Sequence, residues 1–142
     1  MMSLHYRTDR LSPEWRSRVM RSIRKTDTKP ELVVRRLCHA MGFRYRLHRT
    51  DLPGTPDVVF PSRRKVILVH GCWWHRHRCR LGQREPSSRR EYWMPKLKNN
   101  VMRDRRVRQQ LRRLGWSVLT VWECETGDRH RLAKRVGAFL NG

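Results

Sequence analysis

Between Val66 and Cys79 the chain reads VILVHGCWWHRHRC, and one further cysteine, Cys124, follows Val121-Trp122-Glu123 far downstream. Cys72, His75, His77 and Cys79 crowd sulfur and imidazole groups into eight residues. Zinc takes four such ligands in a tetrahedron, and structural sites close the shell with protein groups alone. Cys72, Cys79, Cys124 and one of the two histidines can supply that shell. Residues 75, 77 and 79 share one parity, so an extended chain aims all three to one side, and spacing does not say which histidine binds metal. The other histidine then stands beside the metal with a free imidazole, where a general base can work. The bland alternative, ordinary cysteines and surface histidines, needs a C-x4-H-x-C cluster to arise by chance among four cysteines and seven histidines. A disulfide framework is the weaker rival. The N-terminus shows no signal-peptide apolar region and no apolar run is long enough for a bilayer, so a cytoplasmic setting is expected, where cysteine clusters more often bind metal. Cys38 lies in a helical pattern and reads as a small core residue.

A second chemistry is carried by Asp57 and His70. Pro56-Asp57 opens one strand pattern and His70 ends the next, so a hairpin brings carboxylate and imidazole within a few ångströms. A hard divalent cation such as magnesium favours carboxylate, carbonyl and water ligands. Clamped to a phosphate, it stabilises charge in hydrolysis and helps generate the nucleophile. Glu31 is a further acid for such a site, although glutamate at that helix position also serves as a cap; both readings stand.

At 142 residues the chain is one domain of ordinary size, but its formal charge is +22. A field of that size draws polyanions, chiefly nucleic acid. Arginine supplies 28 of the 34 basic residues, which a GC-rich genome or an RNA-binding role also accommodates. Neither accounts for six tryptophans. The pair Trp73-Trp74 beside a basic surface suits stacking on bases or wedging between them; the alternative is that both rings pack on the metal site.

These residues need elements to position them. Residues 1–11 read as a flexible basic N-terminus and 12–142 as a single domain. Ser12-Pro13-Glu14 opens a helix to about Arg24, with Trp15, Val19 and Ile23 on one face. Thr28-Lys29-Pro30-Glu31 is a capping box for a second helix through Val33, Val34, Leu37 and Met41, ended by Gly42. Phe43 to Leu47 alternates as a half-buried strand, and Asp57–Phe60 with Lys65–His70 reads as a hairpin around Pro61-Ser62. Residues 81–90 are loop-like. Leu97, Val101, Asp104, Val107, Leu111 and Leu114 mark one face of a long basic helix ending at Gly115. Trp116–Trp122 is a strand, and Asp128 caps a last helix through Leu132, Val136 and Phe139. One mixed sheet flanked by helices, an α/β fold, is the economical solution.

Taken together, Leu52-Pro53-Gly54-x-Pro56-Asp57, His70-Gly71-Cys72-x-Trp74-His75-x-His77-x-Cys79, Lys98-Asn99-Asn100-Val101-x-Arg103-Asp104 and Gly115-Trp116-x-Val118-x-x-Val121-Trp122-Glu123-Cys124 resemble the very-short-patch repair (Vsr-type) DNA mismatch endonucleases. The resemblance spans roughly residues 14 to 140, in one order and at near-family spacing. It implies a restriction-endonuclease-like α/β core of the PD-(D/E)XK superfamily that nicks DNA 5′ of the thymine in a T:G mismatch, the lesion left by deamination of 5-methylcytosine. It implies that Asp57 is the main magnesium ligand, with the backbone carbonyl of Val69. His70 and Glu31 would hold water around metal and phosphate, and His75 would be the general base. Cys72, His77, Cys79 and Cys124 would bind structural zinc. Trp73, Trp74 and Trp93 would form the aromatic wedge beside the mismatch, and Lys98, Asn99 and Arg103 would contact DNA. The implied partners are double-stranded DNA with a T:G mismatch and other mismatch-repair proteins; no membrane is involved, and a monomer on the bacterial nucleoid is expected.

The chain departs from the family pattern in places. Val69 stands where threonine is usual, Trp73 where phenylalanine is common, and Arg76 and Arg78 thin the histidine run. Two other readings follow: a nuclease of the same fold with relaxed or different mismatch and context preference, and a non-catalytic zinc-containing nucleic-acid-binding protein. The last has no need for Asp57, His70 and His75 together.

Overall fold

The computed structural model describes residues 27–142; the basic N-terminal segment and the helix expected from Ser12 to Arg24 lie outside the described residues. Helix α1 (Lys29–Ala40) begins where the cap signal predicts: Thr28 is extended and its hydroxyl accepts the Glu31 N–H, with Pro30 in the first turn. Strands β1 (Arg46–Leu47), β2 (Val58–Phe60) and β3 (Lys65–His70) follow, then helix α2 (Arg90–Arg113), strand β4 (Ser117–Trp122), a short 3-10 turn (Glu123–Gly127) and helix α3 (Arg129–Asn141). The Asp128 carboxylate caps α3 by accepting the Arg131 N–H.

The sheet order is β1-β2-β3-β4, antiparallel across the first two pairs and parallel between β3 and β4. A parallel neighbour needs a long crossover, and α2 supplies it. The pattern Phe43–Leu47 gives only a two-residue ladder. Arg46 pairs with Val59, so the residues before it would face Phe60 and then Pro61, which opens a 3-10 turn and has no N–H to donate. The predicted alternation still holds: Phe43 and Tyr45 pack edge-on against Phe60 while Arg44 and Arg46 are exposed.

Side-chain parity divides the sheet into two buried faces. Val58, Phe60, Ile67 and Val121 pack with Val34 and Cys38 of α1 and Leu132, Val136 and Leu140 of α3. Val59 and Val66 pack on the other face with Val107 and Leu111 of α2 and with Trp116. Each such side chain, fully buried, contributes roughly 1.5–3 kcal/mol. Helix α2 starts well before its first sequence marker, Leu97, because Trp93 is already part of a buried cluster with Trp73. Lys65 Nζ donates to the carbonyls of Phe139 and Gly142, and Arg63 to that of Leu140, so cations of the hairpin neutralise the negative end of α3. Among the described residues no helix is long and apolar enough to cross a membrane.

Candidate active site and metal centre

Register explains how Cys124 joins a cluster some fifty residues upstream. In the parallel pair β3–β4, His70 is the partner of Trp122. Two residues beyond each lie Cys72 and Cys124, and the Cys124 N–H reaches the Cys72 Sγ at 3.4 Å. The Glu123 side chain accepts the Cys72 N–H at 3.2 Å, closing the junction.

The segment after Cys72 is not extended. His75 N–H bonds to the Gly71 carbonyl, His77 N–H to that of Cys72, and Arg76 takes a positive φ of 51°. This coil removes the shared parity of residues 75, 77 and 79 and sends the two histidines apart. His77 Nδ1 lies 3.8 Å from Cys72 Sγ and 3.5 Å from Cys124 Sγ. One donor atom from each of Cys72, His77, Cys79 and Cys124 falls within 4.8 Å of the others. A tetrahedron with Zn–S near 2.3 Å and Zn–N near 2.0–2.1 Å puts sulfur and nitrogen about 3.6 Å apart, so the residues present fit zinc. The chain folds back through Gly82, where a Cβ would lie 1.9 Å from the His77 carbonyl oxygen; only glycine permits the approach. The Gly82 N–H in turn donates to Cys79 Sγ. Burial raises the Cys72 and Cys124 thiols. At Cys79 burial acts the same way, but hydrogen bonds from Gly82, Cys72 and Cys124 outweigh it and the thiol falls below its ordinary range. Burial lowers His77, keeping it a neutral imidazole able to ligate.

His75 turns the other way. Its Nδ1 lies 2.6 Å from Oδ2 of Asp104 on α2. A carboxylate only accepts, so Nδ1 carries the proton and Nε2 keeps its lone pair for another. His70 stacks on His75 with ring centres 4.0 Å apart and planes 7° from parallel, and its Nε2 stands 3.9 Å from Asp104 Oδ1. Burial, reinforced by the neighbouring His75 ring, lowers His70 to about 3. His70 is therefore a neutral ring, and its buried Nδ1 has no hydrogen-bond partner. Asp104 was legible in the sequence only as one mark on the apolar face of α2 and as the end of a motif. An acid on that face of a helix crowded with arginine, 9% exposed in the fold, is the signal for it.

Asp57 sits at the other side of β3. Its Oδ2 accepts the Val69 N–H at 2.8 Å. Burial raises its pKa to about 7, and the charge of Glu31 pushes it the same way against the Val69 bond. Glu31 is only 2% exposed. Its Oε2 takes the Asp27 N–H at 2.9 Å, Arg35 Nη2 at 3.0 Å and stands 3.3 Å from His48 Nε2. Two carboxyl groups held together under burial repel, and a divalent cation relieves that repulsion with one or two carboxylates. The donor set fits magnesium on that ground. Arg35 and His48, which hold Glu31, were missed in the sequence because nothing in their spacing ties them to an acid.

The tryptophans divide. Trp73 is 2% and Trp93 0% exposed, and they pack edge-to-face with each other and with Trp74. In the DNA-free fold the rings expected on a DNA-facing wedge fill the space between the coil after β3 and the start of α2, with Trp73 Nε1 bonded to the Arg84 carbonyl. Trp74 alone of the three keeps partial exposure. Its carbonyl accepts Asn100 Nδ2 of α2 at 3.0 Å, and Asn100 Oδ1 accepts Arg103. Lys98, Asn99 and Arg103 are exposed on α2, and the charge of Arg103 reaches His70.

Residues 8–81 match the family described as DNA mismatch endonuclease Vsr. The chain belongs to that family. The DNA mismatch endonuclease Vsr of Escherichia coli (strain K12) is 44% identical over 117 residues, covering 82% of this chain and 74% of that one. The type II nicking enzyme V.XorIIP of Xanthomonas oryzae pv. oryzae is 53% identical over 134 residues, 94% of this chain and 98% of its own. The type II nicking enzyme V.NmeAIP of Neisseria meningitidis is 38% identical over 133 residues, 94% of each. Vsr membership makes this a DNA mismatch endonuclease by family, and implies a restriction-endonuclease-like core for the mixed four-stranded sheet.

Proposed function

We propose that this chain nicks one strand of duplex DNA on the 5′ side of the thymine in a T:G mismatch, using magnesium at Asp57 and a structural zinc held by Cys72, His77, Cys79 and Cys124. The observation that carries the reading is that both groups hang on the last two residues of β3: Asp57, which feels the charge of Glu31, accepts the Val69 N–H, and His70, next in the chain, stacks on His75, which Asp104 holds. A binding protein without chemistry has no use for two buried acids at one side of a strand and an oriented imidazole at the other.

Magnesium, when bound, supplies positive charge to a phosphate oxygen and lowers the pKa of its water. Asp57 and the Val69 carbonyl would hold it. His75, with Nδ1 bonded to Asp104, presents Nε2 to accept a proton from the attacking water. Asp104 fixes that tautomer and offsets the charge as the ring protonates. His70, neutral and stacked on His75, keeps the ring in place. Glu31, held by Arg35 and His48, is placed to order water beside Asp57.

A second reading, a nuclease of this fold with a different mismatch or flanking preference, is favoured by Trp73: a buried ring packed against Trp74 sets how far Trp74 can reach. Purified protein given duplexes that differ in one base pair, T:G against T:A and the other mismatches, with and without magnesium, tests both. Magnesium-dependent nicking confined to T:G supports the first reading. Equal nicking of other mismatches selects the second, and no nicking of any duplex rejects both.

A further inference from the structure

A groove of about 950 Å³ runs on from His75 and Asp104, past His77 and Cys124, to residues that the proposed chemistry does not use. Val101, Asp104, Arg105 and Arg108 recur at the spacing of one helical face, so α2 turns that face to the groove. Asp128, Arg131, Leu132 and Arg135 do the same from α3. Trp122, at the end of the sheet's edge strand, lies between them.

The acids in the groove are already engaged. Glu125 pairs with Arg135, and Asp128 caps α3. No acidic side chain pairs with Arg105, Arg108 or Arg131 among the described residues. Three cations from two helices meet there without a paired acid and repel each other in a chain already at +22. An anion would relieve that repulsion, and the shape, a channel rather than a closed pocket, suits a linear polyanion. Trp122 is already stacked by His77 at 4.2 Å and met edge-on by His70, so its ring is engaged within the fold rather than set out for a base. The groove therefore reads backbone and not bases.

We propose that this groove holds the sugar–phosphate backbone of the nicked strand on one side of the cut, with Arg105, Arg108 and Arg131 on successive phosphates. Its place relative to the cut rests on the endonuclease reading, because His75 and Asp104 form its upper wall. Every phosphate that a cation no longer neutralises flattens the plot of log affinity against log salt by about 0.9 in slope.

The test compares Arg105→Gln/Arg131→Gln with a control of equal charge change, Arg112→Gln/Arg113→Gln on the last turn of α2. Binding to matched and T:G duplex is measured across a salt series without magnesium. The groove pair is expected to flatten the slope by about 2 on both duplexes and the control to leave it unchanged. Duplexes carrying a neutral methylphosphonate at single positions around the nick should weaken wild-type binding on one side only, and should not weaken the groove variant further. An unchanged slope, an equal change in both pairs, or full methylphosphonate sensitivity in the groove variant overturns the proposal. So does loss of poly-glutamate binding in the groove variant with DNA slopes intact, which assigns the groove to an acidic protein segment. If the wild type nicks no T:G duplex but the slopes shift as expected, backbone binding is supported and the endonuclease reading alone fails.

Discussion

The cysteine–histidine cluster and the carboxylate–histidine site share the end of β3 but are built on opposite plans. In the first, every donor atom lies within 4.8 Å of the others, and Cys72, His77, Cys79 and Cys124 face inward on one point. In the second, one atom each of His70, His75 and Asp104 lies equally close, but only three groups meet and atoms remain open: His70 Nδ1 has no partner and His75 uses one nitrogen of two. A closed shell of protein ligands belongs to a metal that holds structure, and an open set to groups that meet a substrate. Breaking the first should cost the fold; breaking the second should cost the reaction and spare the fold.

The largest effect expected is on the closed side. Closing a four-ligand zinc shell couples metal affinity to folding, with apparent energies on the order of 10 kcal/mol in small zinc domains. Cys124→Ala should lose about one equivalent of zinc by elemental analysis, and its thermal midpoint should drop far below that of the wild type. Full zinc content in that variant would falsify the assignment. Cys38 sets the contrast within one residue type: burial alone raises its thiol to about 12, and Cys38→Ala should leave zinc untouched.

Next comes Asp57→Asn, which keeps shape and removes a carboxylate. Nicking should fall about a thousandfold or more, as expected when a metal loses its anchoring charge, while duplex binding without magnesium persists. Stability should move in the opposite direction. The folded-state pKa of Asp57 is raised to about 7. Between roughly pH 4 and 7 the folded protein therefore holds a proton that the unfolded chain releases, so stability falls as pH rises through that window. Metal-free Asp57→Asn should melt above the wild type at pH 8 and lose that advantage near pH 4. A variant that melts lower at both pH values would place Asp57 in the fold rather than in the site.

How much could be read beforehand follows the same division. The proposed zinc ligands sit in one short segment plus a cysteine whose arrival is fixed by a parallel pair, so residue type and spacing carried nearly all of the cluster that the fold brings together. What spacing left open, His75 against His77, turns on a coil whose hydrogen bonds no periodicity encodes and which sets His77 beside the cysteines and His75 beside Asp104. The open site draws on α1, the approach to β2, the end of β3 and α2. Asp57 and His70 were marked by their places at the ends of two paired strand patterns, whereas Asp104 joins across a long crossover and looked like packing. The wedge is ambiguous for a related reason. Three tryptophans near a basic surface fit stacking on DNA as well as stacking on each other, and only the fold shows that Trp73 and Trp93 spend their surface on the second.

Asp104→Asn sharpens the comparison at smaller scale. The amide can still bond His75 Nδ1 but offers no charge to an imidazolium and tolerates the wrong tautomer. A positioned acid–base group is worth typically 10²–10⁴-fold, so a loss of about a hundredfold in nicking rate is expected at saturating DNA, with zinc and thermal midpoint unchanged. If zinc leaves with Asp104→Asn, the two sites are one unit and the division between them is wrong.

The smallest effect belongs to Trp74, which stands on the border of the two regions. Its backbone carbonyl is tied to Asn100 and its ring rests on Trp73 and Trp93, yet it keeps a partly exposed face. Stacking of a base on an aromatic ring is worth roughly 1–3 kcal/mol, while phosphate contacts from the arginines give a background blind to sequence. Trp74→Ala should therefore narrow the affinity gap between T:G and matched duplex by about tenfold and leave the salt slope where it was. Trp93→Ala, with its ring fully buried, should lower the thermal midpoint and leave that gap in whatever protein remains folded. The reverse pattern, a preserved gap in Trp74→Ala and an abolished one in folded Trp93→Ala, would mean that the buried rings emerge to meet the DNA, and that the packing seen around Trp93 opens when DNA binds.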